Sequence, residues 1–325
     1  MIVDSLFKPA WWLTNPHAQT IYASVKHPLQ VPVNHVEKIE LADGDFFNLV
    51  WSCADLAANT PLVVILHGLG GSVNSSYVPR FMRAFNEKGW RAVLLHFRGA
   101  GDEPNRLPRA YHSGDTADLD YLMRILKDRE PDTRKAIVGV SLGGNVLLKW
   151  LGEQGKNARV DCAIAVSVPF VLNEVADRMN QGFSRFYQTH LLKQLKAFFS
   201  NKLNHLKNPP EALKKAAECT CFWTFDHQVT APLHGFSSVH TYYRECSSRQ
   251  FLSGIAIPTL IIHAKDDPFM TSDVVPTESE LSHSTILELS QKGGHVGFIS
   301  SNKIGLPVYW LDNRLCEYLA EQFKT

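Results

Sequence analysis

The feature that most constrains the fold is a repeated alternation of short apolar runs with longer segments of helical pattern. The runs are rich in β-branched residues and lie at 62–66, 92–95, 136–138, 163–166, 259–262 and 286–289. Continuous apolar runs of this length are typical of strands buried on both faces of a sheet. Helical patterns occupy about 77–88, 115–128, 142–154, 271–282 and 307–323. The alternation predicts an α/β fold whose central sheet is mostly parallel and flanked by helices.

Two regions depart from this alternation. Residues 33–41 and 45–53 read as a hairpin, which we expect at an antiparallel edge of the sheet. Residues 168–250 contain no clear strand pattern, and their aromatic and aliphatic residues recur near a helical period. We therefore predict a core formed by 1–167 and 251–325, in which 1–54 is an N-terminal segment with antiparallel edge strands. The helical cap is predicted at 168–250.

Composition excludes several classes of protein. The 33 basic and 32 acidic side chains give a net charge of +1, so no overall field favours nucleic acid. The chain has no apolar segment long enough to span a bilayer, and no signal-peptide pattern opens it. Six cysteines without a C-x-x-C pair indicate a reduced, cytoplasmic protein. Neither H-E-x-x-H nor a Cys/His ladder is present, so we predict no metal and no cofactor.

The strongest chemical motif is Gly139-Val140-Ser141-Leu142-Gly143, a G-x-S-x-G sequence. It joins the predicted strand at 136–138 to the predicted helix at 142–154, which is the setting of a nucleophile elbow. The turn is tight, so small residues are needed two positions before and after the serine. At the start of the helix the Leu142 amide can stabilise developing negative charge. Ser141 is therefore the predicted nucleophile.

A serine hydroxyl needs a base to remove its proton and a carboxylate to orient that base. Asp266 and Asp267 follow the predicted strand at 259–262, and His295 follows the one at 286–289. The carboxyl ends of neighbouring parallel strands meet at one edge of a sheet, so these residues can approach Ser141. Pro268 biases Asp267 toward extended backbone, so we favour Asp267 over Asp266 as the acid. The glycine-rich loop around His295 predicts an exposed, mobile base.

A second oxyanion donor is expected from the loop His67-Gly68-Leu69-Gly70-Gly71, after the strand at 62–66. Its glycines let the backbone approach a substrate, and the Leu69 amide is the predicted donor. A phosphate-binding loop is the competing interpretation, but neither G-x-x-x-x-G-K-[ST] nor G-x-G-x-x-G is present. His67 is expected to form hydrogen bonds within its own loop.

These motifs resemble the α/β-hydrolase superfamily. Further segments are similar to its YheT-like branch, the AB-hydrolase 4 family: Asn15-Pro-His-Ala-Gln-Thr20, Phe97-Arg-Gly-Ala-Gly101 continuing to Glu103-Pro-Asn105, Tyr111-His-Ser-Gly-Asp115, and Ala231-Pro-Leu-His-Gly-Phe236 followed by Tyr242-Tyr243. The resemblance covers nearly the whole chain. It implies a charge-relay triad of Ser141, Asp267 and His295, and it implies hydrolase or carboxylesterase activity. Eukaryotic relatives in this branch act on acylglycerols or phospholipids.

The predicted function is therefore a serine hydrolase that cleaves carboxylic esters through an acyl-enzyme intermediate. The aromatic cap suggests an acyl chain or lipid-like ester as substrate, although the same residues can instead form the core of the cap. Between 171 and 218 the cap has eight Lys/Arg against four acids, so peripheral contact with anionic lipid is a further hypothesis. A thioesterase or acyltransferase could use the same triad. A non-catalytic ligand-binding module is the alternative from another class.

Some branch segments have no assigned chemistry. Arg98 and Tyr111-His112-Ser113 could line the substrate pocket or brace loops, and bracing is favoured. The segment Asn15 to Thr20 is expected to clasp the N-terminal region to the core, since nothing in it suggests catalysis.

Overall fold

The computed structural model describes residues 1–25, 33, 35–101 and 103–324. Within these residues nine strands form one sheet in the order β1-β9-β8-β7-β6-β4-β5-β3-β2. The strands are β1 Ile2–Asp4, β2 His35–Glu40, β3 Phe46–Ser52, β4 Leu62–Leu66, β5 Arg91–His96, β6 Lys135–Val140, β7 Cys162–Val166, β8 Thr259–Ala264 and β9 Thr285–Ser290. Two further short strands, β10 (Ile299–Ser300) and β11 (Val308–Tyr309), pair with each other in antiparallel fashion.

The sheet confirms the predicted α/β architecture. Strands β1, β9, β8, β7, β6, β4 and β5 are neighbours in this order and run parallel to one another. Strands β3 and β2 add an antiparallel edge beside β5. Each of the six predicted apolar runs lies within a strand, and the predicted hairpin forms β2 and β3. Position 34, at the start of that hairpin, lies outside the described residues. Strand β1 has only three residues, too few for a period to be read from sequence.

Helices cover both faces of the sheet and build the cap. Those outside the cap are α1 Pro16–Ser24, α2 Tyr77–Glu87, α3 Ala117–Arg129, α4 Leu142–Gln154 and α11 Trp310–Gln322. Those in the cap are α5 Leu172–Met179, α6 Ser184–His205, α7 Glu211–Lys215, α8 Phe222–Phe225, α9 Ala231–Leu233 and α10 Val239–Cys246. In the described part of the chain, no helix is both long and apolar enough to cross a membrane.

The helix predicted at 271–282 is wrong. The segment contains only two single 3₁₀ turns, Ser272–Val274 and Glu278–Glu280. Between them lies Pro276, which has no amide proton and disfavours helical backbone at the residue before it. The helix predicted at 307–323 begins later, at Trp310, because Val308 and Tyr309 pair with β10.

Burial on both faces of the sheet explains the continuous apolar runs. Along β4 all five residues are inaccessible to solvent. Leu62, Val64 and Leu66 pack on one side with α3 and α4, whereas Val63 and Ile65 pack on the other side with α2 and α11. Since successive side chains of a strand point to opposite faces, a strand between two helical layers must be apolar throughout.

The helical insertion lies between β7 and β8. Residues 168–250 are all described, and they contain helices and turns without a strand. Tyr187, Leu195 and Phe199 of α6 are buried among apolar residues of the other cap helices, whereas Phe183 and Phe186 are exposed. The periodic apolar residues of α6 therefore divide between the core of the cap and its surface.

A buried ion-pair network holds the loop after β5. The Arg98 guanidinium donates two hydrogen bonds to the Asp118 carboxylate on α3, at 2.6 and 2.7 Å. It also donates to Asp43, in the turn between β2 and β3, at 2.5 Å, and to Asp45 at 3.3 Å. Arg98 lies outside the lining of the cavity that contains Ser141. Arg98 therefore braces loops, which is the role favoured from sequence.

Replacing Arg98 should strongly destabilise the protein. We expect Arg98→Met to lower the free energy of unfolding by about 3–5 kcal/mol, because it leaves the buried carboxylates of Asp45 and Asp118 without their cation. The matched control is Arg129→Met, which removes a half-exposed pair with Glu37 and should cost at most about 1 kcal/mol. Urea unfolding followed by circular dichroism measures both. Equal losses in the two variants would contradict the burial argument.

Candidate active site

Ser141 occupies the short turn between β6 and α4. Its φ of 53° and ψ of −118° lie in a region that residues other than glycine rarely adopt. The Ser141 amide donates a hydrogen bond to the carbonyl of Val166 on β7, at 2.8 Å. The turn is therefore tied to the neighbouring strand while the backbone conformation remains strained.

The glycines of the motif are required by close backbone contacts. A Cβ atom at Gly139 would lie 2.6 Å from the carbonyl oxygen of Gly143. A Cβ atom at Gly143 would collide with the carbonyl oxygen of Leu66, at the end of β4. Both contacts would be closer than the van der Waals radii of the atoms allow. The structure thus confirms that small residues are needed on both sides of Ser141.

Three residues that are far apart in sequence meet beside this turn. The Nε2 atom of His295 lies 3.0 Å from Ser141 Oγ, and its Nδ1 atom lies 2.7 Å from Asp267 Oδ2. Asp267 follows β8 and His295 follows β9, so the carboxyl ends of three parallel strands supply the cluster. Asp267 and His295 are both buried.

The two candidate carboxylates have different surroundings. The second oxygen of Asp267 accepts a hydrogen bond from the Phe269 amide at 2.8 Å, which fixes the carboxylate beside His295. Asp266 instead accepts from the amide of Gly294 at 3.0 Å and does not contact the imidazole. Burial raises the pKa of Asp266. The structure therefore places Asp267, and not Asp266, next to the histidine ring.

His295 is not exposed, in contrast to the expectation from its glycine-rich loop. Only 8% of the residue is accessible to solvent. Its ring stacks on Phe269, with 3.9 Å between ring centroids and 10° between planes. The next amide, that of Val296, donates to Ser167 Oγ at 3.0 Å. The glycines serve close packing of this loop, which composition alone did not reveal.

The N-terminal helix α1 provides the other support of the His295 loop. Thr20 Oγ1 accepts a hydrogen bond from the His295 amide at 2.9 Å. Gln19 is fully buried, and its side chain donates to the carbonyl of Ile299 at 2.9 Å and accepts from the amide of the same residue at 2.7 Å. A Cβ atom at Gly294 would lie 2.5 Å from the Pro16 carbonyl oxygen.

The predicted clasp between the Asn15–Thr20 segment and the core is thus a contact with the histidine loop. Asn15 caps α1, since its side chain accepts from the amides of His17 and Ala18 at 2.9 and 3.1 Å. Thr20, Phe269 and Ser167 were not predicted as site residues. For Thr20 the available signal was its place in a family segment, but a hydrogen bond to a residue 275 positions away is not visible in sequence.

Comparison with known proteins identifies the family to which this fold belongs. The family model described as "alpha/beta hydrolase fold" matches residues 61–301, which is most of the chain. The chain belongs to the α/β-hydrolase family. It is 40% identical to the Escherichia coli (strain K12) protein named "Putative esterase YheT", over 96% of this chain and 92% of that protein. The predicted YheT-like branch is therefore confirmed.

Two other similarities concern lipid esters and the fold. The chain is 30% identical to a "Monoacylglycerol lipase" of Saccharomyces cerevisiae (strain ATCC 204508 / S288c), over 80% of this chain and 59% of that protein. The solved structure of the Pyrococcus furiosus esterase Pf2001 matches with a TM-score of 0.57 and 16% identity, covering 97% of this chain and all of that one. The match at this identity supports the fold alone. Together, the curated relatives confirm the prediction of a carboxylic ester hydrolase.

The predicted oxyanion donors of this hydrolase lie beside Ser141. Leu69 and Leu142 border the same cavity as Ser141 and His295. Neither the Leu69 amide nor the Leu142 amide donates a hydrogen bond to another residue in the described part of the chain. The Leu69 loop is held from both sides, because Gly68 donates to the Tyr77 hydroxyl at 2.9 Å and Gly70 donates to the Tyr111 hydroxyl at 2.8 Å.

His67 forms hydrogen bonds around its own loop, as expected. Its Nδ1 atom lies 2.7 Å from the Gly68 carbonyl, and its Nε2 atom accepts from the Phe97 amide at 3.3 Å. These contacts place the proton on Nδ1. Burial lowers the pKa of His67 to about 3. His67 is therefore a neutral structural residue at physiological pH.

The cavity over Ser141 is enclosed largely by the cap. Its apolar wall is formed chiefly by α5, α6 and α8: Leu172, Val175, Met179, Leu191, Leu195 and Phe222. Tyr111, His112 and Ser113 also border it. They brace loops as well, since the Ser113 carbonyl accepts from the Asn145 side chain at 2.7 Å. The segment therefore braces loops and also borders the cavity that contains Ser141.

Proposed function

We propose that this hydrolase is a serine carboxylesterase that works through an acyl-enzyme intermediate, with Ser141 as nucleophile, His295 as base and Asp267 as orienting acid. The observation that carries the proposal is the continuous series from Ser141 Oγ to His295 Nε2 and from His295 Nδ1 to Asp267 Oδ2, at 3.0 and 2.7 Å. The series has the geometry in which a base activates a serine and a carboxylate fixes the tautomer of that base.

In the first half-reaction, Ser141 Oγ attacks the ester carbonyl carbon while its proton moves to His295 Nε2. The carbonyl oxygen becomes an oxyanion, which the amides of Leu69 and Leu142 stabilise by hydrogen bonds. Asp267 accepts a hydrogen bond from Nδ1 and stabilises the imidazolium. The C–O bond then breaks, the alcohol leaves with the proton from Nε2, and the acyl group remains on Ser141.

In the second half-reaction, His295 removes a proton from water, which attacks the acyl carbon. The same two amides stabilise the second oxyanion. Ser141 leaves with the proton returned by His295, and the carboxylic acid departs. Every group in both steps belongs to the chain, the ester or water.

The walls of the cavity favour an ester with an apolar acyl chain. Residues of α5, α6 and α8 that border the cavity are aliphatic or aromatic, and burying apolar substrate surface against them is favourable by about 25 cal/mol per Å². The lipase among the relatives points in the same direction. Leu195 and Phe199 border the cavity and also belong to the apolar core of the cap, so a role in the cap core does not exclude contact with an acyl chain.

Replacing the nucleophile tests the proposal directly. We expect Ser141→Ala to lower kcat/KM on p-nitrophenyl esters by about 10⁴-fold or more, because no other group can form the acyl-enzyme. The variant should also fail to react with a fluorophosphonate probe that labels the wild type. A panel of acyl-CoAs and alcohol acceptors assayed alongside separates the esterase from a thioesterase or acyltransferase. Equal labelling of both proteins would exclude the proposed nucleophile and leave a ligand-binding module.

Paired aspartate variants test which carboxylate acts. We expect Asp267→Asn to lower kcat by about 10⁴-fold near neutral pH, because an amide stabilises the wrong histidine tautomer. Asp266→Asn is the matched control, and its loss should be less than about 10-fold, since Asp266 contacts the loop and not the ring. Initial rates with a short-chain p-nitrophenyl ester measure both. The reverse ranking would assign the acid to Asp266.

Thr20 is expected to act as a positioning residue. Thr20→Val keeps the shape of the side chain but removes the acceptor for the His295 amide, so the ring should shift from its place beside Ser141. Since displacements of about 1 Å can cost about 10²-fold, we expect kcat to fall by about 10- to 100-fold with little change in KM.

Thr20→Ser, which retains the hydroxyl, should restore most of that activity. Melting temperatures of both variants separate this effect from loss of folding. Wild-type kcat in a folded Thr20→Val protein would show that the contact does not position His295.

A further inference from the structure

Two family segments without assigned chemistry meet in the lining of the cavity that contains Ser141. The ring of His112 lies 4.6 Å from that of His234 and 5.6 Å from that of Tyr242, between centroids. The Ser113 amide donates a hydrogen bond to the Tyr242 hydroxyl at 3.1 Å. His112, His234 and Tyr242 all border the cavity that contains Ser141 and His295. This part of the lining is polar, whereas the walls from α5 and α6 are apolar.

A partly buried carboxylate lines the same cavity. Asp226 borders the cavity, and its two oxygens accept hydrogen bonds from the Thr230 hydroxyl at 2.6 Å and the Tyr243 hydroxyl at 2.7 Å. We call Asp226, Thr230, Tyr243, His112, His234 and Tyr242 the Asp226 corner. The backbone at Asp226–Thr230 forms a π-helical turn, a rare conformation that occurs frequently at functional sites.

The surroundings of this carboxylate, in the part of the chain that the structure describes, lack a paired cation. Among the described residues, no Lys or Arg forms an ion pair with Asp226. Burial raises the pKa of Asp226 to about 6, so the group is mostly ionised at neutral pH. The pKa of His112 is lowered well below its usual value by burial and by His234, so that ring adds no positive charge. A charge that is partly removed from water in this way requires hydrogen-bond donors.

The hydroxyls of Thr230 and Tyr243 do not fill every acceptor position of the Asp226 carboxylate. An ionised carboxylate has about four acceptor positions, and the Thr230 and Tyr243 hydroxyls occupy two of them. Both hydroxyls also hold the carboxylate in one orientation at the edge of the cavity. A donor group on a bound molecule would therefore meet an acceptor that is already oriented, which limits the entropy lost on binding.

We propose that the Asp226 corner is a subsite that binds a hydroxyl group of the ester substrate, with Asp226 as its acceptor. The inference rests on the proposed esterase function. A hydroxyl donates one hydrogen bond to the carboxylate, and the carbon atoms beside it can contact the aromatic rings. A bound substrate that covers this acceptor is selected for its donor, because an analogue that lacks the donor would leave the covered acceptor unpaired.

Matched ester pairs show which part of the substrate carries the hydroxyl. For the alcohol part, glycerol 1-monobutyrate is compared with propyl butyrate. For the acyl part, p-nitrophenyl 6-hydroxyhexanoate is compared with p-nitrophenyl hexanoate. We expect wild type to prefer the hydroxylated member of at least one pair by about 10-fold or more in kcat/KM, in line with a hydrogen bond to a charged acceptor.

Variants connect that preference to the carboxylate. Asp226→Asn should reduce the preference ratio by about 10-fold, and Tyr243→Phe should reduce it in the same direction because the carboxylate loses an orienting donor. The matched control is Asp177→Asn, a cap carboxylate that accepts from Trp223 at 2.7 Å but does not border the cavity. It should keep the wild-type ratio.

Several outcomes would overturn the proposal. If wild type hydrolyses both members of each pair equally and in a Ser141-dependent manner, the subsite does not exist although the esterase function stands. If activity survives in Ser141→Ala, the esterase proposal itself fails. A further pair, butyrylcholine and its neutral isostere 3,3-dimethylbutyl butyrate, tests for a cation. A preference for butyrylcholine that Asp226→Asn abolishes, without a hydroxyl preference, would assign the corner to an ammonium group.

Discussion

The site depends on the close approach of three backbones at Ser141. The end of β4, the end of β6 and the first turn of α4 meet there with no side chain between them, because Gly139 and Gly143 have no Cβ atom. This contact lets Ser141 adopt a positive φ and places its hydroxyl at the carboxyl edge of the sheet. The strain of that conformation is tolerated because β4 and β6 are paired and buried on both sides.

The histidine is held by parts of the chain that lie outside the central alternation of strands and helices. Its loop is packed between α1, Ser167 at the end of β7, and Phe269. Helix α1 also contacts the cap, since His17 Nδ1 lies 3.1 Å from the Tyr187 hydroxyl. One short helix therefore touches both the His295 loop and the cap.

The lining of the cavity combines an apolar wall with a set of polar residues. The apolar wall comes from helices with a helical period of aliphatic and aromatic residues, which a sequence shows readily. The polar residues of the lining come from α10, the turn at Asp226 and the 111–113 loop, which are separate parts of the chain. Polar groups in such a place must form hydrogen bonds with one another. What each group can bind therefore depends on which groups lie beside it.

The sequence by itself determined the sheet and the elbow, because both follow from local rules. Residues buried between two layers must be apolar, and a strand–turn–helix around a serine must have small neighbours. Local patterns also gave two wrong predictions. Pro276 prevents the helix predicted at 271–282. His295, which was expected to be exposed, is buried. Only the tertiary structure decided that Asp267 rather than Asp266 faces His295, that Thr20 holds the histidine loop, and that Asp226 borders the cavity. These depend on contacts between residues distant in sequence, and such contacts have no local period or spacing.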